Sequence, residues 1–206
     1  MCHKKSWDGY NSCMADEPEE KRDGRHERVE RGKVAVYEAL TSLFAEGRYN
    51  PPIADVALRA GVSERTLFRY FGSYNDVIAG MVGYFYPRVQ QYFHAEPPAA
   101  SLDERMLALV ELRIDFSRKH GVIPRTIEAL AHEWPAAAVA RYGRVALLAD
   151  QLKTWLGPDL KRVPDEKLVV ISQMLDFPSL EAVSAALGDR AAKVVADAVL
   201  GIINAD

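Results

Sequence analysis

The chain has 206 residues, of which 49% are hydrophobic and 27% charged, the balance of a folded globular protein. No apolar run reaches the ~18–20 residues that span a bilayer, and the opening "MCHKKSWDGYNSCMADEPEEKRDGRHE" lacks the apolar stretch of a secretory signal, so a cytoplasmic protein with no membrane partner is expected. The net charge of −3 by itself argues against a nucleic-acid binder; residues 28–95 carry +2, against −2 for 1–27 and −3 for 96–206, a small difference that permits nucleic-acid binding by the middle segment without showing it.

Residues 1–27 read as a flexible polar tail, and Met14 is a second candidate start. Its Cys2 and Cys13 are the chain's only cysteines, which argues against a disulfide framework. With His3 and His26 they match no compact zinc spacing, so neither a metal nor another cofactor is expected.

From residue 28 onward the periodicity is that of helices, with no alternating runs bounded by turn residues; the fold class is all-α. The first helix is expected over 28–46, with Val29, Val36, Leu40, Leu43 and Phe44 on one face and Gly47 ending it. Pro51 and Pro52 enforce a loop. A second helix follows over 53–60 with Gly61 at its corner, then a third over 64–71 with Ser63 as its N-cap. A fourth spans 75–94, where Pro87 should kink it or end it early. The fifth begins at the capping-box pair Ser101 and Glu104 and stops near Gly121. Pro124 and Pro135 suit first turns and suggest helices over 124–133 and 135–156, then a loop "GPDLKRVP". The last two are expected over 165–187, broken or bent at Pro178, and over 190–204.

The segment "AGVSERTLFRYF", Ala60 to Phe71, is the most informative. Ala57 is small where two helices would cross, and Gly61 can turn left-handed without strain. Leu67 and Phe71, four apart, face inward. Arg65 and Arg69 share another face, with Thr66 and Tyr70 beside them. Guanidinium forks suit phosphates and guanine edges, and a helix of this kind fits the major groove. A solvated amphipathic helix shows the same spacing, so the physical pattern alone leaves both readings open.

Ile53 to Val82, "IADVALRAGVSERTLFRYFGSYNDVIAGMV", resembles the DNA-binding signature of TetR-family transcriptional regulators. The matching residues are Ala60, Gly61, Val62 and Ser63; Thr66, Leu67 and Phe68; Tyr70 and Phe71; and Ser73. The resemblance covers about a quarter of the chain. It implies an N-terminal three-helix DNA-binding unit over 28–74 and a helical effector-binding and dimerisation domain over 75–206. It also implies that Ser63, Thr66 and Tyr70 touch phosphates, that Arg65 and Arg69 read bases, and that Leu67 and Phe71 are structural. Three departures weaken the backbone contacts. Pro52 replaces a capping threonine, for which Asn50 could substitute. Phe68 lacks the usual tyrosine hydroxyl. Tyr74 stands where the family has a lysine; it is counted among the DNA-contacting positions without that charge. A weaker, less salt-sensitive binder than most relatives is expected.

By the same resemblance the protein is a homodimer on a near-palindromic double-stranded operator, a repressor released by a small-molecule effector. The dimer face is assigned to Ala191, Val194, Val195, Ala198, Val199 and Ile202. Effector-site candidates by residue type are Tyr84, Phe85, Phe116, Tyr142, Phe177 and Trp134, with Arg113 and His132 as polar anchors; Tyr92, Trp155 and Glu128 are further possibilities. No His-Glu-x-x-His pair, phosphate loop or catalytic constellation is present, so no enzyme is expected. The alternative is an all-helical ligand-binding or interaction protein that has lost DNA binding.

Overall fold

A computed structural model describes residues 24–205; the cysteines, His3 and most of the expected tail lie outside them. The helices run α1 (Gly24–Ala45), α2 (Ile53–Arg59), α3 (Glu64–Phe71), α4 (Tyr74–Phe93), α5 (Leu102–His120), α6 (Val122–Leu130), α7 (Pro135–Leu160), α8 (Asp165–Met174), α9 (Phe177–Leu187) and α10 (Ala191–Asn204), with one 3-10 turn before α10. Among the described residues there is no strand, and no single helix is long and apolar enough to cross a membrane. No cluster of three or more His, Cys, Asp or Glu among them could hold a metal ion.

α1 to α3 form the corner expected from the sequence. Val36, Leu40, Leu43 and Phe44 of α1 close over Val56 and Ala57 of α2 and Leu67 of α3. Leu67 is wholly inaccessible, a burial that stabilises by about 1.5–3 kcal/mol. Gly61 turns the corner at φ +68. This core does not end at residue 74. Val77, Ile78 and Met81 of α4, Ile127 and Leu130 of α6 and Ala137 of α7 belong to it. α5, α7, α8, α9 and α10 share a second core around Leu109, Leu156, Ile171 and Val199. Phe93, Phe116 and Phe177 form a third cluster.

Several expected boundaries move. α1 begins at Gly24, so residues 24–27 are helical and not part of a tail. α4 runs through Pro87 to Phe93, with both Met81 before the proline and Phe93 after it buried. α6 ends at Leu130, three residues early. α7 continues through Gly157 and Pro158 to Leu160, where a loop was expected. Burial of Trp155, Leu156 and Leu160 on one side offsets the proline's lost hydrogen bond. The break after α8 falls at Leu175 and Asp176. Pro178 instead sits in the first turn of α9, with Asp176 as its N-cap accepting from Phe177 N–H at 2.7 Å, where a proline's missing N–H costs nothing. Asn50 caps nothing; Pro52 is the N-cap of α2 without a side-chain bond, and Asn50 donates to Glu133 at 2.9 Å.

Candidate functional site

The exposed side of α3 is built from a single cap. Ser63 Oγ accepts from Thr66 N–H at 3.1 Å and donates to Thr66 Oγ1 at 3.0 Å. Arg65 and Arg69 are exposed and in no ion pair among the described residues. Their neighbours differ: Arg59 donates to Glu46 at 2.6 and 3.1 Å and to Ser42 at 2.8 Å, and Arg48 pairs with Asp55. The Arg59 guanidinium holds the Glu46 carboxyl below its ordinary range. Arg48 and Arg59 are therefore paired with carboxylates, and Arg65 and Arg69 of α3 are not.

Tyr70 leans across α1. A Cβ placed on Gly32 would meet its ring Cε2 at 2.6 Å and its hydroxyl at 2.7 Å, so glycine is what lets the phenol settle there. The Arg69 guanidinium carbon lies 5.8 Å from the Tyr70 ring centroid, which places cation and phenol together. Phe68 is 43% exposed, an apolar ring turned outward among polar neighbours.

Tyr74 does not join this face. Its hydroxyl is buried with no hydrogen-bond partner, its ring packs edge-on to Trp134 with centroids 5.0 Å apart, and burial pushes its pKa up to about 12. The expectation that Tyr74 contacts DNA is therefore corrected: an aromatic ring at this place is drawn into the junction with α7, whereas a lysine would have stayed in water.

A cavity of about 320 Å³ lies between α4, α5, α6 and α7. Of the residues expected at an effector site, Phe85 and Phe116 line it. Phe177 and Arg113 line a smaller void beside it, which Phe93, Phe116 and Arg144 separate from the main one. The other four are elsewhere. Tyr84 turns to α1, stacking near Tyr37 and donating to Glu38 at 3.3 Å. Trp134 packs on Tyr74. His132 is exposed, and Tyr142 is 65% exposed. Arg113 is a buried brace: its three nitrogens donate to Gln151 at 3.0 Å and to the carbonyls of Leu175 at 2.9 Å and Leu148 at 2.7 Å. Desolvation pulls its pKa down to about 10, with Asp176 opposing, so it stays cationic at neutral pH.

Residue-type reasoning missed Arg144 and His120. Arg144 lines the cavity from α7 and is held by Glu128 and, at 2.9 Å, by Asp176. The available signal was position: Ala140 and Leu147, four before and three after it, line the same cavity, so an arginine interrupts an inward face. Glu128 meets the cavity only through this pair.

The proposed dimer residues divide into two faces. Ala191, Val195 and Val199 are buried within the subunit, because they pack α10 on α5, α8 and α9. Ile202 is half-buried, and Val194 and Ala198 face outward. Val194 is exposed, as are Val169 and Val170 of α8, and Val170 lines one surface groove with Ala198 and Ile202. Half of the expected interface face is therefore occupied by the subunit's own core, and only Val194, Ala198 and part of Ile202 remain outside it.

No protein-family model matches the chain. Over 129 residues the chain is 27% identical to an HTH-type transcriptional repressor of Mycobacterium tuberculosis and, equally, to an HTH-type transcriptional regulator of Mycobacterium bovis. The match spans 62% of this chain and 62% of each relative's own length. Among solved structures, a transcriptional regulator from Rhodococcus sp. Rha1 superposes with a TM-score of 0.63 at 15% identity, covering 85% of this chain and 95% of that one. A TetR family transcription regulator from Marinobacter aquaeolei VT8 gives 0.50 at 19%, covering 84% and 97%. The chain has the all-helical fold of the TetR-family transcription regulators, with an N-terminal helix-turn-helix and a helical C-terminal part.

Proposed function

We propose that this protein is a DNA-binding transcriptional repressor that acts as a homodimer and is released by a small molecule. The observation that carries this reading is the exposed side of α3, where Arg65 and Arg69 stand without carboxylate partners among the described residues, while Arg48 and Arg59 nearby are paired. On this reading Arg65 and Arg69 read base edges in the major groove. Ser63, Thr66 and Tyr70 hold phosphates, and residues 28–74 are the DNA-binding unit. Two copies pair through the outer face of α10 and α8 around Val194, Ala198, Val169 and Val170. This sets two recognition helices about one helical turn, ~34 Å, apart.

The route from cavity to DNA is α4. Its first half is part of the helix-turn-helix core through Val77, Ile78 and Met81. Its second half lines the cavity through Phe85, Tyr86 and Val89. A second link joins the two regions at α7, where Asn75 Oδ1 accepts from Ala136 N–H at 2.9 Å. A ligand that pushes α4 outward moves α3 with it, and a shift of a few ångströms prevents two half-sites from being occupied together.

The test is selection from a random duplex pool with purified, ligand-free protein. Enrichment of one near-palindrome is expected. Arg65→Ala and Arg69→Ala should weaken that binding and relax selectivity at the bases they read, by ~1–3 kcal/mol each. The salt dependence should be no steeper than a log-log slope of about −6. A folded dimer that enriches nothing supports the second reading, a ligand-binding protein without DNA function; the inward Tyr74 and the hydroxyl-free Phe68 are the observations that favour it.

A further inference from the structure

We infer that the Phe68 ring reads a thymine in each half-site by resting on its methyl group, and that the edge of α3 carrying Glu64 and Phe68 is turned to base edges and away from the phosphate strands. The inference rests on α3 being the recognition helix of the proposed regulator.

Position comes first. Leu67 is wholly buried and Phe71 packs beside it, which marks the inner side of this eight-residue helix. Arg65 and Arg69 stand on the opposite side. Residues four apart share a row along a helix, so the exposed arc has two different edges. Thr66 and Tyr70 form one, beside the Ser63 cap. Glu64 and Phe68 form the other, with Phe68 three residues on from Arg65 and therefore its neighbour.

Chemistry separates the two edges. The Thr66 and Tyr70 edge carries hydroxyls and no acid. The other carries a carboxylate and a phenyl ring, and neither donates a hydrogen bond. Glu64 is exposed and in no ion pair among the described residues. A phosphate strand would repel its charge, and a phenyl ring offers a phosphate oxygen nothing. Base edges accept both kinds of group. In the major groove their apolar feature is the thymine C5-methyl group, a recognised partner for a phenyl ring.

The fold does not use the ring. Phe68 is 43% exposed and belongs to none of the three hydrophobic clusters. Its backbone carbonyl accepts from Gly72 N–H at 2.7 Å, a bond that any residue at this place would make. Single exposed apolar side chains are ordinary on protein surfaces, and Leu58 is another. What sets Phe68 apart is its place beside Arg65 on the helix assigned to the groove. Burying one methyl group is worth about fourfold in affinity, so two half-sites give about fifteenfold.

The experiment uses the full chain and the near-palindrome selected from random duplexes. Each thymine is replaced in turn by deoxyuridine, symmetrically in both half-sites, which removes the methyl group and leaves the base pair and its O4 acceptor intact. At one thymine position this change is expected to weaken binding about fifteenfold by mobility shift. Phe68→Ala should keep the melting temperature, bind the thymine operator at least fifteenfold more weakly than wild type, and lose nothing further on the deoxyuridine change. An operator without thymine, no position that responds to deoxyuridine, or an equal response in Phe68→Ala would each overturn the contact. So would a lowered melting temperature, which would show that the ring serves the fold, or a Phe68→Ala loss shared equally by non-operator DNA. A chain that selects no sequence removes the regulator reading and this contact with it. One that selects a sequence whose thymines are not coupled to Phe68 removes the contact alone.

Discussion

Replacing Gly32 with alanine separates the recognition surface from the stability of the fold. A Cβ at this position would lie 2.6 Å from Tyr70 Cε2 and 2.7 Å from its hydroxyl. An ordinary contact needs ~3.5 Å, so the tip of the ring must move by about 1 Å. The move is inexpensive, because only the far end of a side chain is displaced. Alanine also gains ~1 kcal/mol over glycine inside a helix. Thermal stability should therefore stay level or rise. DNA binding should not. A displacement of that size takes a ~2.8 Å hydrogen bond to phosphate beyond the range in which it holds. Each such bond is worth about 0.5–1.5 kcal/mol, and two half-sites double the loss to about 1–3 kcal/mol, or a fall in operator affinity of about 5- to 150-fold. The assay is a mobility shift at fixed salt, read beside a melting curve and against Tyr70→Phe, which should lose a similar amount. The double variant should lose no more than the larger single loss. Unchanged operator affinity in Gly32→Ala would refute the role given to Tyr70.

Three further outcomes are expected. Tyr74→Phe removes a buried, unpartnered hydroxyl and should leave operator affinity unchanged while holding stability level or raising it by up to ~1 kcal/mol. Because the Tyr74 pKa is raised from 10.0 to about 12, its stabilising contribution is complete below pH 10 and lost as pH rises through 12; the wild type should lose more stability than the variant across that window in urea titrations. Asp176→Ala removes both the cap of α9 and a partner of Arg144 and should cost about 2–4 kcal/mol. Asp176→Asn keeps the cap and should cost about half as much; losses equal to those of Asp176→Ala would show that the cap contributes nothing, and no loss at all would show that the ion pair contributes nothing. The pair Val194→Glu and Ala198→Glu places charge on the outer face of α10 and should give a folded monomer by sedimentation; a persistent dimer would move the interface elsewhere.

The helix-turn-helix was legible residue by residue because its constraints are local. A left-handed corner asks for Gly61, an N-cap asks for Ser63, and the spacing of Leu67 and Phe71 against Arg65 and Arg69 fixes which side is dry. Each acts within one or two turns, and the structure places them accordingly. Tyr74 was misread for the opposite reason. Its neighbours in sequence belong to the helix-turn-helix, but the ring's partner is Trp134, sixty residues away. Pro158 and Pro178 behaved likewise: a proline marks a discouraged position, and distant burial of Leu160 decided that α7 should continue past one of them.

The sequence by itself therefore determined the all-helical class, the corner and the exposed placing of Arg65 and Arg69 on α3, since helical period and capping are properties of short segments. Only the tertiary structure decided which aromatic side chains line the cavity, which half of the α10 face is already spent on the subunit's own core, and that Arg144 stands between Glu128 and Asp176. Those outcomes depend on how α4 to α10 cross. Crossing is settled by the summed packing of side chains far apart in the chain, a quantity that no single stretch of residues contains.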